Sequence, residues 1–211
     1  MKKNIGFYLS LFIMVIIAVV SCSSHYIIPV SKMQPRMQYT GFSVARPPDT
    51  GWILSIKEQG YHNALFRKYL AKYPGDMRHT AYVSVELHKM RRPAANLEEF
   101  VNIDKGTHRF SDTLRFKLVN FTQAPDTLQG QWCVYWTEEV LDRNPAINPN
   151  LPLKIRNYGF TCLHPTFKEM VIRAMISERA SENEFDSSTF EEGKIILKSI
   201  VIESAAGVPV K

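Results

Sequence analysis

The chain has 211 residues, of which 45% are hydrophobic and 22% are charged, and its formal net charge is +6 at pH 7. This length suits one medium-sized domain with its own core, and the composition excludes a chain that is disordered throughout. The basic residues are spread along the sequence without an accompanying row of aromatic side chains, so no nucleic-acid-binding surface is predicted.

The first residues have the layout of a secretory signal. Lys2 and Lys3 form a short positive start, and residues 5–20 are an apolar stretch interrupted only by Gly6 and Ser10. A membrane-spanning helix needs about 17–25 apolar residues, so this stretch falls just short. A cationic start followed by about 7–15 apolar residues is typical of a signal peptide. An uncleaved N-terminal anchor is the alternative.

The cysteine at the end of this leader resembles the acylation site of bacterial lipoproteins. Residues 19–22 read Val-Val-Ser-Cys, which is similar to the lipobox: an aliphatic residue, a small or aliphatic one, a small one and cysteine. The resemblance implies that residues 1–21 are a cleaved signal peptide and that Cys22 carries a diacylated thiol and an acylated amino terminus. Since two acyl chains already anchor a protein stably, we expect attachment to a bilayer.

The resemblance also implies the location of the protein, which is the bacterial cell envelope. In lipoproteins of this type the residue after the cysteine influences sorting, and Ser23 is not the aspartate that resembles an inner-membrane retention signal. We therefore expect the outer membrane, with the domain facing the periplasm. Loss of Lys2 and Lys3 with the leader leaves 24 basic and 20 acidic side chains, a net charge of +4 that suits proximity to anionic lipid.

The mature chain is predicted to begin with a tether. Residues 22–38 mix Ser, Pro, Met and basic residues without periodicity, which predicts a lipidated tether. A single domain is expected over residues 39–202, and a flexible tail over residues 203–211. The first strands predicted in this domain are residues 41–44, 52–56 and, with a helical turn as the alternative, 65–70.

The middle of the chain predicts one long strand and one helix. Residues 80–88 alternate in polarity, and the face that is apolar carries Ala81, Val83, Val85 and Leu87. Asn96 is a suitable N-cap for a helix over residues 96–109, whose first turn holds Glu98 and Glu99 where the helix dipole favours acids.

Three longer strands are predicted after this helix, over residues 114–122, 131–140 and 154–163. Ala-Pro-Asp-Thr at residues 124–127 is expected to form the turn between the first two. A loop rich in Asn and Pro at residues 144–152 separates the last two.

The predicted domain ends with a strand over residues 170–178 and a helix. Asp186 or Ser187 is expected to cap this helix, which ends near residue 199 and has as candidate buried residues Phe190, Ile195, Ile196 and Ile200. Runs of strands with one helix between them and one after them predict an α+β fold. We expect a largely antiparallel sheet of about six to eight strands covered by two or three helices.

The opening of the domain resembles that of PsbP/Mog1-like domains. Residues 41–44, Gly-Phe-Ser-Val, are followed by Pro47-Pro48 and Gly51-Trp52, which is similar to the strand, proline turn and tryptophan of that family. The later order of a helix at residues 97–100, a meander, a strand at residues 170–179 and a final helix is also similar. The resemblance covers residues 39–202 and implies an α/β sandwich that acts as a binding or accessory module more often than as an enzyme.

Cys133 and Cys162 are predicted to face each other. If residues 131–140 and 154–163 form a hairpin centred on the Asn/Pro loop, the two cysteines are opposed in the ladder. Opposed residues approach to about 4.5–5.5 Å between Cβ atoms, which a disulfide can bridge after modest adjustment. An oxidising periplasm permits the bond. Two small buried thiols are the alternative.

The sequence contains no convincing active site. Cys162 could act as a nucleophile with His164 as its base, but residues two apart on a strand do not point at each other. Glu138 or Glu139 with Glu178 could be the acid and base of a hydrolase. There is no G-x-S-x-G, no phosphate-binding glycine loop and no H-E-x-x-H. We expect no metal ion and no other cofactor.

The best candidate for a recognition element is the loop at residues 144–152, since long irregular loops between ordered strands are often functional. Its candidate contact residues are Asn144, Pro145, Asn148, Pro149 and Asn150. We expect a lipid-anchored binding or accessory module with a protein or another envelope component as its partner, and no nucleic acid. A lipid-anchored envelope enzyme that uses Cys162, or the region of Glu138 and Glu178, is the alternative.

Overall fold

A computed structural model of the chain describes residues 27–55, 62–70, 77–108, 112–145 and 151–204. The predicted signal peptide, Cys22 and most of the predicted tail lie outside the described residues, as do Asn148, Pro149 and Asn150 of the predicted recognition loop. Within the described ranges, no helix is long and apolar enough to cross a bilayer.

These ranges form eleven strands and two α-helices. The strands are β1 (Ile27–Pro29), β2 (Arg36–Tyr39), β3 (Phe42–Ala45), β4 (Ile53–Ser55), β5 (Asn63–Tyr69), β6 (Thr80–Lys89), β7 (Phe116–Leu128), β8 (Gln131–Asp142), β9 (Leu153–Leu163), β10 (Met170–Ala180) and β11 (Val201–Ile202). The helices are α1 (Leu97–Thr107) and α2 (Ser187–Lys198), and a 3-10 turn at Val30–Lys32 follows β1.

Eight strands form one antiparallel sheet in the order β1-β4-β5-β6-β10-β9-β8-β7. The other three, β11, β3 and β2, form a small antiparallel sheet. A large antiparallel sheet with two helices confirms the predicted α+β fold.

One face of the large sheet is covered by the small sheet and α2. The core between these layers includes Phe42, Val44, Trp52, Phe66, Val83, Ile172, Ile176, Ile196 and Leu197. The prediction that Ile195 is buried is wrong, because its side chain is 58% exposed. An α-helix has 3.6 residues per turn, so Ile196 shares the buried face of α2 with Thr189 and Gly193, whereas Ile195 points away from it.

Both predicted N-caps are confirmed. The side chain of Asn96 accepts a hydrogen bond of 2.9 Å from the backbone N–H of Glu99 at the start of α1. Asp186 caps α2, and hydrogen bonds from Ser188 and Thr189 lower the pKa of its carboxyl to about 2. These caps satisfy backbone donors that the first turn of a helix leaves unpaired.

The opposite face of the large sheet, which we call the α1 face, is only partly covered. Phe100 of α1 packs there in a small apolar cluster with Met90, Val134 and Val171. Since α1 has only 11 residues, the rest of this long sheet has no helix above it among the described residues.

The turn between β7 and β8 lies later than predicted. Residues 124–127 are inside β7, and the chain reverses at Gln129 and Gly130, whose φ angles are 54° and 77°. Two consecutive positive φ values are typical of a two-residue type I′ hairpin turn. Pro125 is accommodated because β7 is an edge strand, where a missing N–H can face solvent.

The predicted tether at residues 22–38 is too long. Residues 27–29 pair with β4, and residues 36–38 belong to β2, which pairs with β3. Val30 and Met33 between them are buried in the core. These strands have only three and four residues, too few for an alternating pattern to be visible in the sequence. Residues 63–69 likewise form a strand and not a helical turn.

Candidate functional site

Cys133 and Cys162 are opposed on β8 and β9 and are joined by a disulfide. Both lie fully buried in the core. A sulfur in a disulfide is not a thiolate, so this arrangement gives Cys162 no nucleophilic role. His164 is also buried, and its Nδ1 accepts hydrogen bonds from the backbone N–H groups of Thr166 and Phe167. Burial lowers the pKa of His164, which keeps its ring neutral.

Glu138 and Glu178 lie on opposite faces of the sheet, so they cannot act as the acid and base of one site. Glu138 faces Asn157 in the β8–β9 ladder, and Asn157 faces Ser177 in the β9–β10 ladder. Partners in a ladder project on the same face, whereas consecutive residues alternate. Glu178 therefore projects away from Glu138, and the predicted pair of Glu138 with Glu178 is wrong. Glu139 shares the face of Glu178, since both oppose Arg156, but Glu139 is exposed.

Glu178 connects α2 to the sheet. Its fully buried carboxylate accepts hydrogen bonds of 2.8 and 2.6 Å from the guanidinium of Arg156. It also accepts one of 2.7 Å from the backbone N–H of Asp186, and Nε2 of His79 lies 2.8 Å away. Since both carboxylate oxygens are engaged, Glu178 has a structural role.

The uncovered part of the α1 face contains two adjoining cavities, which we call the sheet groove. The larger compartment has a volume of about 540 Å³ and the smaller one about 250 Å³. The two compartments share the wall residues Tyr82, Ser84, Glu86, Asn157 and Met175. Small-molecule sites typically have volumes of about 300–1,000 Å³, so the groove can hold a ligand of that class.

The larger compartment has mainly apolar walls, formed by Leu65, Met77, Phe116, Val140, Ile155 and Met175. At one end Asp142 is fully buried and accepts two hydrogen bonds of 2.8 Å from the guanidinium of Arg115. The charges of Arg115 and Asp142 therefore neutralise each other. Arg67 and Arg179 also line the compartment.

In the smaller compartment, His108 lies between two buried carboxylates. Its Nε2 is 3.2 Å from Oδ2 of Asp104, one helical turn earlier, and its Nδ1 contacts Oε1 of Glu138 on β8. The other oxygen of Glu138 accepts a hydrogen bond of 2.9 Å from Nδ2 of Asn157 on β9. These contacts hold the C-terminal end of α1 against the sheet.

The pKa values of His108 and Glu138 shift in the directions that favour an ion pair. Burial lowers the pKa of His108, but hydrogen bonds to Asp104 and Glu138 outweigh burial and leave the pKa above its ordinary value. Burial raises the pKa of Glu138, but hydrogen bonds from His108 and Asn157 outweigh it and leave the pKa below its ordinary value. Both shifts favour an ion pair, in which the two ring N–H groups of protonated His108 donate to the carboxylates of Asp104 and Glu138.

Arg173 reaches the same compartment from β10. Its Nη2 lies 3.2 and 3.3 Å from the two ring nitrogens of His108, and its Cζ lies 5.3 Å from the centre of the Trp136 ring. Nη2 of Arg173 donates to a ring nitrogen when His108 is neutral, whereas protonation of His108 places two cations side by side. Within the described part of the chain, Arg173 has no carboxylate or carbonyl oxygen at hydrogen-bond distance.

Two buried polar atoms of this compartment's wall residues also lack a partner among the described residues. They are Oδ1 of Asn157, a residue that is 9% exposed, and Nε1 of Trp136, which is 2% exposed. Buried polar groups normally have a hydrogen-bond partner, so these atoms point to a bound water or ligand. Gly159 makes room for the indole, since a Cβ there would lie 2.7 Å from Cζ2 of Trp136.

The predicted recognition loop is described only at its start. Asn144 donates its backbone N–H to Oδ1 of Asp142 at 3.3 Å, and neither Asn144 nor Pro145 lines the sheet groove. Acylation of Cys22 and partner binding by the loop stay predictions, since the residues concerned lie outside the described ranges.

Sequence reasoning did not identify the groove. Two features of the sequence indicate it. Asp104 and His108 are an acid and a histidine four residues apart, and Glu138 is a carboxylate on an otherwise apolar strand face. Glu138 shares that face of β8 with the alternating residues Trp132, Val134, Trp136 and Val140. A charged residue in such a row indicates a buried partner.

No protein-family model and no curated protein matches this sequence. Among solved structures, the chain is similar to a point mutant of Mog1, with 11% identity over 79% of this chain and 94% of that chain and a TM-score of 0.44. It is also similar to cyanobacterial PsbP (CyanoP) from Synechocystis sp. PCC 6803, with 16% identity over 80% and 91% and a TM-score of 0.41. A protein from Bacteroides thetaiotaomicron VPI-5482 has 11% identity over 83% and 51% and a TM-score of 0.40.

Mog1 and PsbP are the two proteins that give their names to the family whose opening the sequence resembles.

Proposed function

We propose that this chain is a lipid-anchored binding module of the bacterial cell envelope, and that its binding site is the sheet groove. The anchor is Cys22, which the lipobox resemblance of residues 19–22 supports. Ser23 follows the cysteine in place of the aspartate that resembles an inner-membrane retention signal. This favours the outer membrane, with the domain facing the periplasm. The loop at residues 144–152 is a further proposed contact, to a protein or another envelope component.

One observation carries the binding function: an apolar compartment adjoins a charged compartment in which buried polar groups lack partners. Such a combination is typical of ligand sites, where apolar walls supply affinity and a few polar groups fix orientation. The wall residues Val140, Ile155 and Met175 face the larger compartment, and Arg173 and Trp136 face the smaller one. A ligand that covers both would bury apolar surface and satisfy polar atoms at once.

The polar groups of the groove are held in place before any ligand binds. His108 is fixed by Asp104 and Glu138, and Asn157 is fixed by Glu138. Rigid positioning lowers the entropy cost of binding. The same contacts argue against proton-transfer chemistry at His108, because both of its nitrogens are engaged.

Methyl NMR of the full chain in lipid nanodiscs tests this proposal. Met175 lines both compartments, whereas Met33 is buried in the core on the other face. The probes are water-soluble aromatic acids, alcohols and amines. At least one of them should shift the Met175 methyl resonance and leave that of Met33 in place.

Two threonine-to-tryptophan variants provide a matched control. Thr80 lines the larger compartment, so Thr80→Trp should weaken binding by about tenfold or more, which is about 1.4 kcal/mol. Thr137 is exposed on the opposite face of β8, so Thr137→Trp should leave binding unchanged. A silent Met175 resonance, or equal effects of the two variants, would overturn the proposal.

A further inference from the structure

We propose that the ligand of the sheet groove carries a compact anionic group, of which a carboxylate is the simplest, and that Arg173 receives it. The apolar body of the ligand then lies in the larger compartment. This inference rests on the proposed binding function of the groove and adds the chemical class of the ligand.

The first support is the lack of an oxygen acceptor near the guanidinium of Arg173 among the described residues. Its side chain is half-buried at the centre of the sheet, and in the described ranges only Nη2 has hydrogen-bond contacts, both to ring nitrogens of His108; the Trp136 ring lies beside the guanidinium. A guanidinium has five N–H donors in a planar fork, and removing them from water without an acceptor is unfavourable. A carboxylate offers two oxygens that match this fork.

The second support is that the acids around the groove are already engaged. Glu138 accepts from His108 and Asn157, and Asp142 accepts from Arg115. None of these carboxylates can turn to Arg173 without breaking a buried contact, which is costly.

Glu86 is the one remaining acid among the wall residues of the two compartments. It is opposite Arg173 in the β6–β10 ladder, but it is exposed and forms no ion pair with Arg173 within 4.0 Å. Water screens an exposed carboxylate, so a ligand anion inside the groove can compete with it.

The third support is the charge of the remaining wall. Arg179 lines the larger compartment, where its Nη2 donates to the carbonyl oxygen of Met77 at 2.8 Å and its buried Nε has no partner among the described residues. Nε1 of Trp136 is a second unpaired donor, in the smaller compartment. These donors and positive charges outnumber the one unpaired acceptor that the described residues place on the shared wall, Oδ1 of Asn157, and therefore favour an anion over a cation.

Calorimetry with three ligands of one shape tests the inference. 4-Phenylbutyrate, 4-phenylbutan-1-ol and 4-phenylbutylammonium share their apolar body and differ in charge. They are titrated into the full chain in nanodiscs, with empty nanodiscs as the blank. The carboxylate should bind at least about tenfold more tightly than the alcohol, and the ammonium should bind most weakly.

Variants of Arg173 and Glu86 test whether Arg173 causes this preference for the carboxylate. Arg173→Met should abolish the advantage of the carboxylate over the alcohol. Arg173→Lys keeps the charge but not the fork, so it should retain part of the advantage, and it serves as the test if the methionine variant does not fold. Glu86→Gln removes the competing acid and should bind the carboxylate as tightly as the wild type or more tightly.

Equal affinity for the three compounds, or a carboxylate preference that survives both Arg173 variants, would overturn the inference. The proposed binding function would still stand if any fragment shifts the Met175 methyl resonance. A silent Met175 resonance and no heat with any of the three compounds would overturn both.

Discussion

Nδ1 of His108 contacts the carboxylate oxygen Oε1 of Glu138 and so joins the end of α1 to β8. The apolar cluster beneath α1 is small, with Phe100 as its one large side chain buried to about 1% exposure. A buried ion pair thus adds to the apolar packing that holds α1 at the wall of the sheet groove. The position of the wall therefore depends on the protonation of His108.

Stability should fall at alkaline pH because of His108. The folded-state pKa of His108 is raised above 6.5. Its contribution to the free energy of unfolding is therefore fully present below that pH and is lost as the pH rises through the folded-state value. In urea unfolding between about pH 6 and about pH 9, the wild type should lose stability relative to His108→Gln. A difference between the two proteins that does not vary with pH would contradict this assignment.

Gly41 and Gly130 should respond differently to alanine. Both have positive φ angles, 80° and 77°. A Cβ at Gly41 would lie 2.7 Å from Nε2 of the buried His164, whereas a Cβ at Gly130 meets nothing within 4 Å. Gly130→Ala should cost about 1–2 kcal/mol from backbone strain alone, and Gly41→Ala should cost more. Thermal unfolding measures both, and equal losses would show that His164 does not restrict this site.

The disulfide between Cys133 and Cys162 should be present in the isolated protein and should stabilise it. It closes a loop with a sequence separation of 29, for which the loss of unfolded-chain entropy corresponds to about 3–4 kcal/mol. Replacing both cysteines by alanine should lower the free energy of unfolding by up to that amount. Mass spectrometry after denaturation and alkylation should show both residues modified only after reduction. Modification of either residue without reductant would contradict the bond.

Glu178 should prove structural. Glu178→Gln removes the charge of a fully buried carboxylate and leaves Arg156, whose side chain is 27% exposed, without its partner, which should cost about 1–3 kcal/mol. The matched control is Glu139→Gln, since Glu139 is exposed and also opposes Arg156 in a ladder; it should cost less than about 1 kcal/mol. Ligand binding in the sheet groove should be unaffected by either variant, because both residues project on the other face. Equal costs for the two variants would count against the buried role of Glu178.

Cys22→Ala should abolish acylation. The lipobox resemblance implies that the thiol of Cys22 is the site of diacylation. Metabolic labelling with palmitate should therefore mark the wild type and not the variant, and Ser21→Ala should keep the label because alanine is also small. Incorporation of label into the Cys22→Ala protein would refute the anchor.

Sequence patterns predicted those parts of the fold that depend on local rules. The alternation at residues 80–88 and the caps Asn96 and Asp186 are visible within a few residues of the chain. The opposition of Cys133 and Cys162 follows from one hairpin centre, so it could also be predicted. The turn predicted at residues 124–127 is wrong. Pro and Asp favour turns, but here the edge strand β7 accommodates them.

The site itself could not be assembled from the sequence. Asp104, His108, Glu138, Asn157 and Arg173 belong to a helix, its C-cap and three strands. Only the register of those strands and the position of α1 bring them together. The face on which each strand residue projects also decides function, since Glu138 lies in the groove and Glu178 on the reverse side.

The most direct test of the sheet groove as a ligand site is the position of a bound fragment. Intermolecular nuclear Overhauser effects between 4-phenylbutyrate and the methionine methyl groups of the full chain locate it. Binding in the sheet groove predicts effects to Met175 and Met77, which line the groove, and none to Met33. Effects to Met33 or to no methionine, with the ligand bound, would place the site elsewhere and contradict binding in the groove.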